Sequence, residues 1–396
     1  MPPPSESRLR VRRLASIALG LAIATSSLLT FTSRAMRPAN MDEAENVDSY
    51  LDALVADSKV PGLQYVVVDS TGIVFEYVGG WADLARSRPM GSATTLMAYS
   101  MSKTVTAAAV LRLADSGLLD LDDPVSRYVD DLPYGSNVTI RHLLTHTAGI
   151  PNPIPLRWAH LTTEHASFDE SAALSGRLRD NATLSSQPGE RFRYSNLGYW
   201  LLGPVVERAS SRSFDEYVAA EVLDRIGVAG SRLAYTVDDP SSHAVGYLEK
   251  YSLLNLVKRF VLDGKLIGDY EGRWLEINGH YVDGPAFGGL VGNARGFAGF
   301  LLDQLQSESA LFSNETRQAL YQAQELSDGT EAPMTAGWHV ADPDGAPYFY
   351  KEGGGGGFHS LMRLYKNHGI GTVVLTNATG FDVQRLLDEV DASFLR

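Results

Sequence analysis

The stretch Tyr99-Ser100-Met101-Ser102-Lys103-Thr104, running into Val105 to Leu113, decides how this chain is read. The residues after Thr104 are apolar nearly all round, the mark of a helix buried in a core. Three residues make almost one helical turn, so Ser100 and Lys103 fall side by side at its start. A serine hydroxyl is a weak nucleophile and needs a neighbouring base; a lysine amine serves if desolvation lowers its pKa. The helix N-terminus also aims free N–H groups at a developing oxyanion. Alone, the pair has a plainer reading, in which Ser100 caps a helix and Lys103 is a solvated first-turn residue. Against this, a lysine entering an apolar buried helix needs a partner or a function.

Two further elements lie downstream. Tyr194-Ser195-Asn196 follows the turn Pro188-Gly189-Glu190 and precedes the apolar run Leu197 to Val206. A tyrosine hydroxyl relays or accepts a proton where nearby cations favour its phenolate. An asparagine amide accepts from a lysine and donates to a substrate carbonyl. Tyr365-Lys366-Asn367 repeats the pattern but falls in a predicted hairpin turn, where such residues are ordinary turn chemistry. Lys351-Glu352-Gly353, with Gly354 to Gly357 behind it, is the one K-x-G in the chain. Five glycines in a row are costly in a strand. Close approach of a substrate to the backbone, with a free N–H completing an oxyanion hole, is one reason to keep them; a flexible loop is the other reading.

S-x-x-K, Y-x-N and K-x-G in this order resemble the serine β-lactamase and penicillin-binding protein superfamily. The tyrosine form of the second motif resembles its class C β-lactamase-like branch, which holds esterases, DD-peptidases and D-aminopeptidases. Arg141 to Gly149, Pro188 to Gly203 and Gly288 to Phe300 extend the likeness, which runs from about Asp42 to the C-terminus. The resemblance implies that Ser100 is the nucleophile and that Lys103 and Tyr194 share the general-base and general-acid roles. It implies that Asn196 binds the substrate's carbonyl or amide, and that Lys351 tunes Tyr194 and attracts an anionic group. Gly353 and Gly354 would line the substrate, with the N–H groups of Ser100 and Gly354 forming the oxyanion hole. No cofactor is implied. The reaction would be acyl transfer from an ester, amide or lactam to Ser100 and then to water. A non-catalytic, membrane-tethered scaffold or binding protein is the rival of another class; the intact motifs count against it.

Two residues depart from the family pattern. Position 352 is usually a hydroxyl residue and here is Glu352. Facing the pocket, its carboxylate would repel a substrate carboxylate; paired with Lys351, it would reduce the pocket's positive charge. Pointing to the other face of the strand, it would do neither. Two of these three geometries favour a neutral ester or amide, so an esterase-like activity is expected over a β-lactamase or DD-peptidase. Pro204 sits in an apolar segment the family runs as a helix, so a kink or an early end is expected there.

The rest of the chain supplies the frame. Helical periodicity runs over Asp42 to Ser58 and again over Phe381 to Phe394. Strand signals fall at Leu63 to Asp69 and Ile73 to Gly79, and at Ala336 to Ala341, Tyr348 to Gly353, Phe358 to Tyr365 and Ile370 to Thr376. Strands from both ends around a helical middle predict an α+β fold of two lobes. An antiparallel sheet would be flanked by the terminal helices, with a mostly helical lobe over about 100–335 and the site in the cleft between. Residues 246–285 match the family poorly. Tyr251 to Leu262 reads as an amphipathic helix, so this part is either a surface insertion or a cap that selects acyl groups.

The chain of 396 residues carries a net charge of −13, which argues against a nucleic-acid partner and leaves a small molecule or short peptide as the substrate. With no cysteine, a disulfide framework, a thiol nucleophile and a thiolate zinc site are excluded. His142 and His146, at i and i+4, lack the glutamate and third ligand of a zinc site, so no metal is expected. Arg8 to Arg13, the apolar stretch Leu14 to Thr32 and Ser33-Arg34-Ala35 form the pattern of an export signal within 1–35, followed by a linker over 36–41. An uncleaved membrane anchor and an organelle transit peptide are the other readings; export would place the protein outside the cytoplasm or in the cell envelope.

Overall fold

The structure, a computed structural model, describes residues 41, 46–153, 155–342 and 346–395. The export or anchor segment expected over 1–35 lies outside these residues.

Among the described residues, seven strands form the main sheet: β1 (Gly62–Asp69), β2 (Gly72–Asp83), β3 (Arg88–Pro89), β4 (His339–Ala341), β5 (Tyr348–Gly354), β6 (His359–Tyr365) and β7 (Ile370–Thr376). The order is β4-β5-β6-β7-β1-β2-β3, with every neighbouring pair antiparallel. The first and last parts of the chain meet where β1 pairs with β7, Leu63 opposite Thr376 and Val68 opposite Gly371. β2 runs past its expected end through Gly80, whose positive φ of 80° bends the backbone over Pro61; a Cβ there would lie 2.2 Å from the Pro61 carbonyl oxygen.

Alternation along the strands sorts side chains into two cores. Leu63, Tyr65 and Val67 of β1, Leu361 of β6 and Val374 of β7 face one side. There they pack under helix α1 (Val47–Ala56) and the C-terminal helix Val383–Val390. Val66, Val68, Met362, Leu364, Val373 and Leu375 face the other side, against Phe297 and Leu301 and the large helical region beyond. This is the α+β arrangement that the strand and helix signals predict.

In the helical region, α2 (Ser102–Asp115) is buried along nearly its whole length. The apolar run after Tyr194 forms two helices, α3 (Asn196–Trp200) and α4 (Leu202–Ser210). The break at Leu201 answers to Pro204. Proline has no N–H for the Trp200 carbonyl, so it takes the first turn of a new helix, where none is required. Among the described residues this region also holds small sheets that the sequence reading left out. One joins Gly246–Glu249, Trp274–Ile277, Ile267–Glu271 and the late strand Ala378–Thr379. Amphipathic helix α5 (Leu253–Val261) sits within this insertion.

Candidate active site

Ser100 lies in a single 3₁₀ turn, Tyr99–Met101, just ahead of α2. Tyr99 before it has a positive φ of 46°, which a large side chain adopts only under constraint. That constraint is visible. The Tyr99 hydroxyl donates to the Gly356 carbonyl at 2.6 Å and lies 3.0 Å from His280 Nε2. Its ring fills the space a Cβ on Gly355 would need, at 2.5 Å. A strained residue pinned at its tip thus fixes the turn that carries Ser100.

The fold brings the predicted residues together. Lys103 Nζ is 3.0 Å from Ser100 Oγ, 2.8 Å from Asn196 Oδ1 and 2.6 Å from the Phe287 carbonyl. The Tyr194 hydroxyl donates to Ser100 Oγ at 3.0 Å. The ammonium of Lys351 lies 5.0 Å from the centre of the Tyr194 ring. Gly353 sits where β5 passes the Tyr99–Met101 turn, so close that a Cβ would be 2.0 Å from the Ala98 carbonyl oxygen. Gly354 follows it, opposite His359.

Electrostatics here follow from burial. Desolvation holds Lys103 well below the usual lysine range, and the charge of Lys351 lowers it further. Desolvation also pushes Lys351 down to about 7, although Glu352 opposes this. Lys351 is wholly buried, and its Nζ has no hydrogen-bond partner among the described residues. Burial raises the Tyr194 phenol, outweighing its bond to Ser100, so the hydroxyl stays protonated.

Several supports were not legible in sequence. His146 lies under Tyr194 with ring centres 4.2 Å apart, and its Nδ1 accepts the Ser195 N–H at 3.1 Å. Desolvation, reinforced by the charge of Lys351, keeps its imidazole neutral. Asn152 Oδ1 accepts from both the Asn196 backbone and its side-chain amide, fixing the face Asn196 shows to Lys103. The Phe287 carbonyl could not be found from residue type at all, since any residue offers one. His142 serves locally: its Nδ1 accepts the Thr139 N–H at 3.2 Å.

One expectation needs correction. Glu352 neither faces the pocket nor pairs with Lys351. Lys351 pairs in register with Met362 and Glu352 with Leu361, so the two side chains leave β5 on opposite faces. Glu352 accepts from Gln384 at 2.8 Å and lies 2.7 Å from His359 Nε2, on the side of the C-terminal helix. Burial opposes its ionisation, but these bonds hold its carboxyl below the usual range. Glu352 therefore neither repels a substrate carboxylate in the pocket nor neutralises Lys351 by pairing with it. The glycine run also answers to the protein's own packing: Gly353 meets Ala98, Gly355 the Tyr99 ring, and Gly357, at φ 87°, lies against Gly246.

The model of the Beta-lactamase family matches residues 47–393. The chain is 25% identical over 309 residues to penicillin-binding protein 4* of Bacillus subtilis (strain 168), covering 77% of this chain and 65% of that protein. It is 26% identical over 211 residues to protein flp of Staphylococcus aureus (strain N315), covering 52% of this chain and 41% of that one. The chain thus spans between two fifths and just under two thirds of the length of these curated relatives. Among solved structures, the D-amino acid amidase from Ochrobactrum anthropi SV3 complexed with D-phenylalanine superposes with a TM-score of 0.71 at 18% identity, over 87% of this chain and 97% of that one. The octameric penicillin-binding protein homologue from Pyrococcus abyssi gives 0.67 at 24% identity, over 85% and 74%. These structural likenesses show the fold. With a family model running from the first described helix to the last turn, the chain belongs to the Beta-lactamase family of serine hydrolases.

Proposed function

We propose that the protein hydrolyses an ester or amide through an acyl-enzyme on Ser100. The observation that carries this is the placement of Lys103 Nζ and the Tyr194 hydroxyl each 3.0 Å from Ser100 Oγ. A neutral lysine amine has two N–H groups and one lone pair. With Asn196 Oδ1 and the Phe287 carbonyl taking the two N–H groups, the lone pair is left for the Ser100 hydroxyl. Lys103 is then the base for acylation: it takes the Ser100 proton as Oγ bonds to the substrate carbonyl carbon. The oxyanion sits against the N–H groups of Ser100 and Gly354. As the bond to the leaving group breaks, the leaving oxygen or nitrogen takes a proton from Tyr194, whose raised pKa keeps that proton in place until then, and Lys103 restores it. Water then attacks the acyl-enzyme with the same groups acting in reverse, and the acid is released. Asn196 Nδ2 and Gly353 border the acyl group.

A second reading is favoured by Lys351. With Glu352 turned away, this buried cation has no carboxylate in hydrogen-bond contact among the described residues, so a substrate carboxylate would find a partner there, as a β-lactam or a peptide C-terminus would. One assay separates the readings. Lys351→Met is compared with the wild type on a p-nitrophenyl ester, nitrocefin and a D-Ala-D-Ala peptide. The ester reading predicts similar losses on all three; a loss at least tenfold larger on the two carboxylates supports the second. If Ser100→Ala keeps wild-type turnover, or no fluorophosphonate adduct forms on Ser100, the serine-hydrolase mechanism is wrong for this chain. We further propose an extracytoplasmic location from the N-terminal pattern; no helix among the described residues is long and apolar enough to cross a membrane.

A further inference from the structure

Helix α5 has two apolar faces where one is enough to hold it. Leu254 and Val261 pack with Leu248, Leu266, Leu275 and Ile277. On the outer side, Leu253 is 44% exposed, Leu256 79% and Phe260 80%, with Tyr251 at 74% just ahead of the helix. Residues 253, 256 and 260 follow i, i+3 and i+7, so they form one stripe. Single exposed leucines are ordinary; a stripe of three large side chains ending in a phenylalanine is the mark of a covered surface.

Charge says what covers it. From Lys250 to Leu262 the chain has three cations, Lys250, Lys258 and Arg259, and no carboxylate, although the whole protein carries −13. Lys250 and Arg259 are exposed, and Lys258 is partly held by Asn255 Oδ1 at 2.6 Å. A helix with leucine and phenylalanine outward and basic residues beside them suits the boundary between headgroups and acyl chains. A second copy of the chain fits less well, because a two-fold contact would set these cations against their own images.

We propose that α5 docks on an anionic lipid surface, with Leu253, Leu256 and Phe260 inserted and Lys250 and Arg259 against the headgroup phosphates. This contact is separate from the N-terminal segment and does not depend on which substrate Ser100 takes. Arg157 donates to the Phe260 carbonyl at 3.1 Å, which ties α5 to the turn Pro155–Arg157, a few residues beyond the Asn152 that holds Asn196.

The absence of cysteine allows a direct test on the full chain. Phe260→Cys and, as a control in the β1–β2 turn, Thr71→Cys each carry one environment-sensitive fluorophore, with thermal melts checking that both remain folded. Vesicles of phosphatidylcholine alone are compared with vesicles containing phosphatidylglycerol. The expected result is a brighter, blue-shifted signal at position 260 with the anionic vesicles only, and none at position 71. Lys250→Gln with Arg259→Gln should weaken that response on the order of thirtyfold in vesicle concentration. Three outcomes overturn the proposal: no change at 260 with any vesicle, equal changes at 260 and 71, or a vesicle-free change at 260 that grows with protein concentration. The second would mean tethering elsewhere in the chain; the third, contact between copies.

Discussion

Lys351→Met should make the protein more stable and less active. The side chain is wholly buried, with no hydrogen bond to its ammonium among the described residues, and its pKa falls from 10.5 to about 7. That gap corresponds to roughly 5 kcal/mol of disfavoured charge. The folded-state value is the depressed one, so the folded protein binds fewer protons than the unfolded chain between about 7 and 10.5. Its cost is therefore full at and below about pH 7, falls to about 3 kcal/mol near pH 8.5, and is gone above 10.5. Methionine keeps the apolar stem and drops the charge, but loses the contact with the Tyr194 ring. A net gain of about 2–4 kcal/mol at pH 7 is expected, shrinking steadily towards pH 10. Urea unfolding of both proteins at several pH values measures it, because only the difference between them counts and other titrating groups cancel. Catalysis should shift too. Removing a positive neighbour raises the pKa of Lys103, so the acid limb of kcat/KM should move to higher pH. A variant less stable than the wild type at pH 7, or a difference that does not change with pH, would refute the claim that Lys351 is an uncompensated buried charge.

The remaining expectations follow from the same geometry. Ser100→Ala, Lys103→Ala and the triple variant with Tyr194→Phe should each lose on the order of 10³-fold or more in kcat, without multiplying, because the three act as one proton-transfer unit; additive losses on one ester substrate would argue for independent roles. Glu352→Thr should leave the ratio of nitrocefin to ester turnover unchanged and cost about 1–3 kcal/mol in chemical denaturation, because it strips partners from His359 and Gln384; a selective rise for nitrocefin would place Glu352 in the pocket after all. Gly355→Ala drives a methyl into the Tyr99 ring, so it should lower kcat by at least about tenfold through displacement of Ser100; wild-type kcat in a folded variant would show that Tyr99 does not position the nucleophile.

What the sequence determined by itself was the part that depends on local periodicity and on rare residue combinations. Ser100 and Lys103 are three residues apart at the start of a largely apolar helical run, and seven lysines in the whole chain leave few candidates for a buried base. The β1–β2 hairpin, the β5–β7 strands and the terminal helices each carry their own period, so the α+β class and the meeting of both chain ends could be read in advance. Pro204 announced the break between α3 and α4, because its missing N–H acts within one turn. Tertiary structure decided what depends on residues distant in the chain. The direction of Glu352 was open until its strand paired with β6, since alternation says that neighbours diverge but not which of them faces the cleft. The glycine run could be noticed but not explained, because the atoms that forbid a Cβ belong to Ala98, Tyr99 and Gly246. His146, Asn152 and the Phe287 carbonyl hold the site together through contacts with no fixed sequence spacing. The outward stripe of α5 shows the same division: its amphipathic period was legible, but which apolar residues meet the protein and which meet its surroundings was settled only by what the fold left uncovered.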